Sequence, residues 1–107
     1  MASFEGQYGG DAFNHEAVTV STVAIGGTAA TITPTSGVAA KAAIVSVETN
    51  PIRYRIDGQA AVTNTTGHYV AAGTTFTIFG GENVTALRMI RDSTAGADAT
   101  VRITYLR

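Results

Sequence analysis

The segment KAAIVSVETNPIRYRID, residues 41–57, has the clearest β pattern of the chain, because it holds two β-type runs separated by Asn50-Pro51. In the second run, apolar and charged side chains alternate: Ile52, Tyr54 and Ile56 against Arg53, Arg55 and Asp57. A period of two places these two sets on opposite faces of a strand. One face is therefore expected to pack into a core, and the other to meet water or a partner.

Similar runs recur along the chain between turn signals such as Gly26-Gly27, Thr33-Pro34 and Gly80-Gly81. The predicted strands are 17–25, 28–33, 41–49, 51–57, 74–79, 84–91 and 99–106. The run 84–91 also has a helical alternative, because Leu87, Ile90 and Arg91 suit part of one helical turn. About seven strands at this spacing predict an all-β chain folded as an antiparallel β-sandwich, jelly-roll or immunoglobulin-like.

The domain organisation follows from where the alternation begins. Residues 17–107 are predicted to form one sandwich domain, with a hairpin at 93–98 and a long loop at 58–73. Its predicted core consists of Ile52, Tyr54, Ile56, Phe76, Ile78, Val101 and Ile103. Residues 1–16 show no strand or helical period and are predicted to be an extended N-terminal arm. Its rings, Phe4, Tyr8 and Phe13, are expected either to dock on a partner or to cover the chain's own core.

The composition suggests that part of the surface is covered by other molecules and is not exposed to water. Charged residues make up only 14% of the 107 residues, against about 25% in an average soluble domain. Ala, Gly and Thr together account for 47 residues, so few bulky side chains are left for packing. With no cysteine to form disulfides, assembly with copies of itself or with a larger scaffold is the natural source of further stability.

Charge and hydropathy exclude several classes of partner. A net charge of −1 disfavours nucleic-acid binding, which usually needs a basic excess. No run of 18 apolar residues is present, which predicts no membrane association. The start MASFEGQYGG lacks the basic and apolar regions of a secretion signal, so the protein is expected to be made in a cytoplasm.

No motif predicts catalysis. The two histidines, His15 and His68, have no metal-ligand spacing, and no GxSxG-type elbow surrounds a serine or threonine. The glycine pairs match neither GxGxxG nor a phosphate loop, and the acids are scattered singly. The sequence therefore predicts no catalytic residue, no metal and no cofactor, and it predicts that the protein is not an enzyme.

The polar residues that stand out are arginines. Residues 51–107 carry six Arg against four acids, whereas residues 1–50 have a net charge of −3. Arg53 and Arg55 share a face by parity, and Arg102 points away from the predicted core in the last strand. Arg88 and Arg91 complete this set, and several of its guanidinium groups are expected to converge on one outer surface that binds carboxylates of a neighbour, the alternative being a solvated sheet face. His68 and Tyr69 are the candidate contacts of the long loop.

Residues 48–107 resemble small virion-associated structural proteins of tailed bacteriophages. The resemblance lies in PIRYRIDG (51–58), TTGHYVAAG (65–73), NVTALRMIR (83–91) and TVRITY (100–105). It implies a β-sandwich that forms a structural part of the particle, and residues 1–47 lie outside it.

The expected function is therefore that of a virion protein, most simply a capsid decoration or cement protein present in many copies. Its partners would be the major capsid protein, other virion proteins and copies of itself. A head-to-tail junction or tail protein is one alternative. A carbohydrate- or receptor-binding module, with contacts around Asn64, His68 and Tyr69, is another.

Overall fold

The computed structural model describes residues 11–33, 39–58 and 66–107. Within these ranges seven strands form two antiparallel sheets, which confirms the predicted all-β sandwich. The four-stranded sheet has the order β1 (Ala12–Val20), β7 (Ala99–Leu106), β2 (Ala42–Thr49) and β5 (Thr75–Phe79). The three-stranded sheet has the order β4 (His68–Val70), β3 (Ile52–Arg55) and β6 (Arg88–Arg91). Two short helices, α1 (Ala29–Ile32) and α2 (Gly81–Ala86), complete the described elements.

The turn at Asn50-Pro51 carries the chain from one sheet to the other. β2 belongs to the four-stranded sheet and β3 to the three-stranded sheet, so the two strands do not pair with each other. Asn50 adopts a positive φ of 60°, a conformation that Asn accepts more readily than most residues. Its side-chain amide donates to the carbonyl of Asp98 at 3.1 Å, which joins this turn to the loop before β7.

The loop 93–98 crosses between the sheets in the same way. β6 and β7 lie in different sheets, so the predicted hairpin at this loop is wrong. β7 instead lies between β1 and β2 and pairs antiparallel with both. This central position makes the last strand of the chain the middle of the larger sheet.

The core lies between the inner faces of the two sheets, as the alternation predicted. Ile52, Ile78, Val101 and Ile103 are buried, and the other predicted core residues are half-buried and pack against them: Tyr54, Ile56 and Phe76. Tyr54 and Phe76 stack with ring centroids 4.6 Å apart, which joins β3 to β5 across the sandwich.

The boundary predicted between arm and domain is wrong by several residues. β1 begins at Ala12, and Asn14, His15 and Glu16 pair with Tyr105, Thr104 and Ile103 of β7. Residues 12–16 are therefore part of the sheet, while 1–10, with Phe4 and Tyr8, lie outside the described residues. The strand ends at Val20 rather than at residue 25, because from Ser21 onward the backbone bonds β6 of the other sheet.

Two segments predicted as strands contain helix. The run 28–33 holds α1, and the run 84–91 divides into the end of α2 and strand β6. In the second case Val84 and Leu87 are both buried, and their spacing of three residues suits a helical turn. The strand period resumes only at Arg88. Within the predicted loop 58–73, residues 68–70 form the short strand β4, and 59–65 lie outside the described residues.

A hydrogen-bond network fastens the segment after β1 to the larger sheet. Glu16 points inward from β1, and its carboxylate accepts bonds from the Tyr105 hydroxyl at 2.6 Å and from the Thr28 hydroxyl and N–H at 2.7 and 2.9 Å. Gly27 permits this arrangement, because a Cβ there would overlap the Tyr105 hydroxyl oxygen. Burial by itself would raise the pKa of Glu16, but these hydrogen bonds outweigh it and hold that pKa below 4.5. Burial, and then the neighbouring Glu16, raise the pKa of Tyr105.

We expect this network to make folding stability depend on pH below about 4.5. Because the folded-state pKa of Glu16 is depressed, its contribution is fully present above the ordinary value of 4.5 and is lost as pH falls through the folded value. Glu16→Gln should lower the free energy of unfolding by about 1–2 kcal/mol near neutral pH. It should also flatten the loss of stability on acidification. Urea unfolding at a series of pH values tests this, and equal pH slopes for the wild type and the variant would contradict it.

Candidate functional site

The outer side of the three-stranded sheet gathers four of the predicted contact residues. Arg53 on β3 lies opposite Tyr69 on β4, and Arg55 lies opposite Arg88 on β6. Directly opposed residues of antiparallel strands project to the same side. The other side carries Ile52, whose burial identifies it as the core side. We call the surface formed by Arg53, Arg55, Tyr69 and Arg88 the arginine face.

Arg53 is held in place by contacts on three sides. Its Nε donates to Oδ1 of Asp92 at 2.6 Å, and its Nη1 donates to the carbonyl of Gly67 at 3.1 Å. The guanidinium carbon lies 5.6 Å from the centroid of the Tyr69 ring, a cation–π distance. Arg53 therefore links β3, β4 and the loop after β6, and its guanidinium group packs against the Tyr69 ring.

Asp92 anchors this arrangement from inside the protein. Its side chain is only 2% exposed, and its Oδ2 accepts bonds from the hydroxyl and the N–H of Thr94. The Thr94 bonds first, and then Arg53, outweigh the effect of burial and hold the pKa of Asp92 below 3.8. Sequence reasoning treated the acids as scattered and missed this residue. The available signal was the run Asp92-Ser93-Thr94 directly after a strand, which is typical of an Asx turn.

Arg55 and Arg88 form a like-charged pair across β3 and β6. Arg55 bonds the exposed carboxylate of Asp57, with Nη2 2.5 Å from Oδ2. Arg88 donates to the carbonyl oxygens of Leu87 at 2.7 Å and Thr85 at 3.3 Å. Among the described residues no carboxylate lies within salt-bridge distance of Arg88. Because like charges directly opposite each other repel, this part of the arginine face favours a further anion.

The other two predicted arginines lie elsewhere, so three of the five share this surface. Arg102 projects from β7 on the outer side of the four-stranded sheet and pairs with Glu48 on β2 at 3.2 Å. Arg91 has the opposite parity to Arg88 in β6 and pairs with Asp98 at 2.8 Å. Parity along one strand cannot show to which sheet the strand belongs, and that information was missing from the sequence argument.

The predicted loop contacts divide between the two sides of β4. Tyr69 is 51% exposed and belongs to the arginine face. His68 lies opposite Tyr54, with ring centroids 5.3 Å apart. A cavity of about 310 Å³ beside His68 is lined by Arg55, Ile56, Asp57, Gly67 and His68.

Of the three aromatic residues predicted to dock, Phe13 is the one that the structure describes. Its half-buried ring packs against the core cluster, and the guanidinium carbon of Arg107 lies 4.4 Å from the ring centroid. Phe13 therefore covers the chain's own core, which is the second of the two roles predicted for these rings.

Known proteins supply no assignment for this site. In the described parts of the chain no three His, Asp or Glu side chains gather as metal ligands, and no helix there is long and apolar enough to cross a bilayer. No family model, no curated protein and no solved structure matches the chain.

Proposed function

We propose that the protein is a structural component of a tailed-bacteriophage particle, a capsid decoration or cement protein that binds the major capsid protein in many copies. Support comes from the resemblance of residues 48–107 to such proteins and from the low charge content. On this proposal the chain is made in the host cytoplasm, resides in the virion, and acts by binding rather than by catalysis.

The observation that carries the proposal is the arginine face. Arg and Tyr are enriched at the centres of protein interfaces, because each offers a large contact area together with directed hydrogen bonds. Arg53 is already held by Asp92 and Gly67 and lies over the ring of Tyr69, so Arg53 has little side-chain freedom left to lose on binding. Such a surface suits a partner that docks repeatedly in one geometry.

The chemistry of the face indicates a partner surface that carries carboxylates. A guanidinium group bonds a carboxylate through two parallel N–H donors, and Arg55, which pairs with Asp57, stands opposite Arg88. A carboxylate of the capsid protein placed between them would relieve their repulsion. We therefore assign an acidic patch of the capsid lattice as the docking site.

Charge reversal at Arg55 tests this docking mode. We expect Arg55→Glu to weaken binding to purified particles by about tenfold or more at low salt, and by less at high salt, because exposed charges are screened within about 8–10 Å at physiological ionic strength. Co-sedimentation of the purified chain with particles stripped of it, at two salt concentrations, measures the effect. Arg55 is a better probe than Arg53, since a carboxylate at Arg53 would face the buried Asp92.

Arg102→Glu provides the matched control. Arg102 is also a partly exposed arginine in an ion pair with an exposed acid, but it lies on the other sheet. Binding should be unchanged in this variant. If both variants bind as tightly as the wild type, or if both lose binding equally, the arginine face is not the docking surface.

A carbohydrate- or receptor-binding role is the second candidate, and the cavity beside His68 favours it. The cavity brings together the polar side chains of Arg55, Asp57 and His68, and sugar sites use such donors and acceptors. His68→Ala should abolish attachment to glycans on an array if this role is correct. Retained particle binding by the same variant, which leaves the arginine face intact, would favour the docking role.

A further inference from the structure

The outer edge of β1 is an open strand edge nine residues long. Among the described residues no strand pairs with that edge, since β7 occupies the other side. The contacts of β1 with the 28–33 segment run through the side chains of Asn14 and Glu16, not through its backbone. This edge therefore presents backbone N–H and C=O groups that pair with no described strand.

The pairing pattern of β7 identifies them. The Leu106 carbonyl accepts from Lys41 on the β2 side, whereas Arg107 exchanges two bonds with Asp11 on the β1 side. Because backbone groups alternate in direction along a strand, Tyr105, Ile103 and Val101 bond β1 through Asn14, Glu16 and Val18. The N–H and C=O groups of the alternate residues, His15, Ala17 and Thr19, therefore point to the open edge.

Two independent contacts agree with this direction. The carbonyl of Ser21, the next residue in the same alternation, accepts a bond at 3.1 Å from Arg91 of β6. The N–H of His15 is taken up by the Asn14 side chain at 3.1 Å and not by β7. The edge thus presents three residues with outward backbone groups, all of them exposed.

This edge has little of the protection that usually prevents strand pairing. Natural edge strands are protected by Lys, Pro, bulges or inward-pointing charges. β1 contains no Lys, Arg or Pro, and its irregularity lies near its start at Ala12/Asn14. Its one acid, Glu16, points inward, where its carboxylate is satisfied by three hydrogen bonds within the chain. Nothing in the described part of the chain therefore blocks a strand along residues 15–19.

The other edge of the same sheet is less suited to pairing. β5 is five residues long, and the carbonyl of Phe79 at its end already accepts a bond from the Asn83 side chain at 2.9 Å. A head-to-tail arrangement that joins β1 to β5 would leave part of β1 uncovered. A two-fold arrangement that joins β1 to itself can pair residues 14–20 of both copies, which includes every outward-facing residue of the edge.

We infer that β1 pairs antiparallel with β1 of a second copy of this chain, about a two-fold axis at Ala17. This register places His15 opposite Thr19 of the second copy and forms about six main-chain hydrogen bonds, two of which replace the contact of Asn14 with His15. In this register the Glu16 residues of the two copies do not lie opposite each other, and the small side chains of the two Ala17 residues lie at the axis. The two four-stranded sheets become one continuous sheet, and the arginine faces remain uncovered. The inference does not depend on the proposed function, because it concerns the free chain.

Sedimentation equilibrium of the full chain, from about 1 µM to about 1 mM, tests the inference together with amide hydrogen exchange. We expect a dimer, and we expect the amides of Ala17 and Thr19 to become protected as concentration rises, while the Val18 amide is protected throughout by β7. Ala17→Pro removes an outward N–H without touching the β7 pairing, and Ala17→Lys places two like charges at the axis. Each should weaken dimerisation at least about tenfold.

Thr75→Lys is the control, because it adds the same charge on an exposed residue of the far edge strand, and it should leave the dimer intact. A wild-type chain that stays monomeric at every concentration overturns the inference. So does a dimer that survives Ala17→Lys or that shows no protection at Ala17 and Thr19. Should Ala17→Pro fail to fold, Ala17→Lys and the exchange pattern still decide. Particle co-sedimentation is scored separately, so a monomer that binds particles would overturn this inference alone.

Discussion

Replacing Ile103 by Ala should lower the free energy of unfolding by about 2–5 kcal/mol. Ile103 is fully buried at the centre of β7, and its neighbours across the sheet are Val45 on β2 and Glu16 on β1. Truncation removes buried apolar surface and leaves a cavity, because strands paired on both sides cannot close around it. Urea unfolding monitored by far-UV circular dichroism gives the value.

Thr104→Ala is the matched control for this effect. Thr104 is the next residue of the same strand, it is half-buried, and it projects from the outer side of the sheet. Its truncation should change stability by less than about 1 kcal/mol. An equal loss in the two variants would mean that the inner and outer sides of β7 have been assigned wrongly, since a one-residue slip exchanges them.

Asp92→Ala should be the most damaging change at a polar residue, with a loss of about 2–4 kcal/mol in the free energy of unfolding. The substitution leaves the Arg53 guanidinium without its buried partner and removes the acceptor of two bonds from Thr94. The partial exposure of Arg53, 25% of its side chain, keeps the loss below that of a fully buried ion pair. Tyr69 should also lose its fixed orientation, which fluorescence anisotropy of a chain with Tyr69→Trp would detect.

Asp98→Ala is the matched control for Asp92→Ala, because it removes an ion-paired carboxylate that is exposed rather than buried. Asp98 pairs with Arg91 at a similar distance, 2.8 Å, but its side chain is 46% exposed. An exposed pair contributes about 0–1 kcal/mol, so this variant should unfold close to the wild type. If Asp98→Ala were as unstable as Asp92→Ala, the buried carboxylate would not be the anchor of the arginine face.

The strands with the clearest period-two alternation were predicted well from the sequence. β7 was predicted at 99–106 and is observed there, and β2 and β3 lie within the predicted runs 41–49 and 51–57. These strands have one side in the core, so alternation of apolar and polar residues is imposed on them. The runs that proved to hold helices are short and rich in small residues, and their periodicity is too weak to separate the two states.

The same reasoning could not predict which strands pair with each other. Whether a turn such as Asn50-Pro51 folds back within a sheet or crosses to the other depends on the packing of distant strands. The last strand, β7, separates β1 from β2, a long-range contact that no local pattern reports. Parity therefore placed Arg53 and Arg55 on one face, since they share a strand, but it could not show that Arg102 belongs to the other sheet.

If this chain is a bound component of a virion, it must be present in purified particles. Quantitative mass spectrometry of particles from cells that carry the gene, banded by density and washed at moderate salt, gives its copy number relative to the major capsid protein. The proposal predicts a fixed, multiple copy number that falls when Arg55→Glu replaces the wild-type chain and holds when Arg102→Glu does. A chain found only in the soluble fraction, with particles free of it, would contradict the proposal.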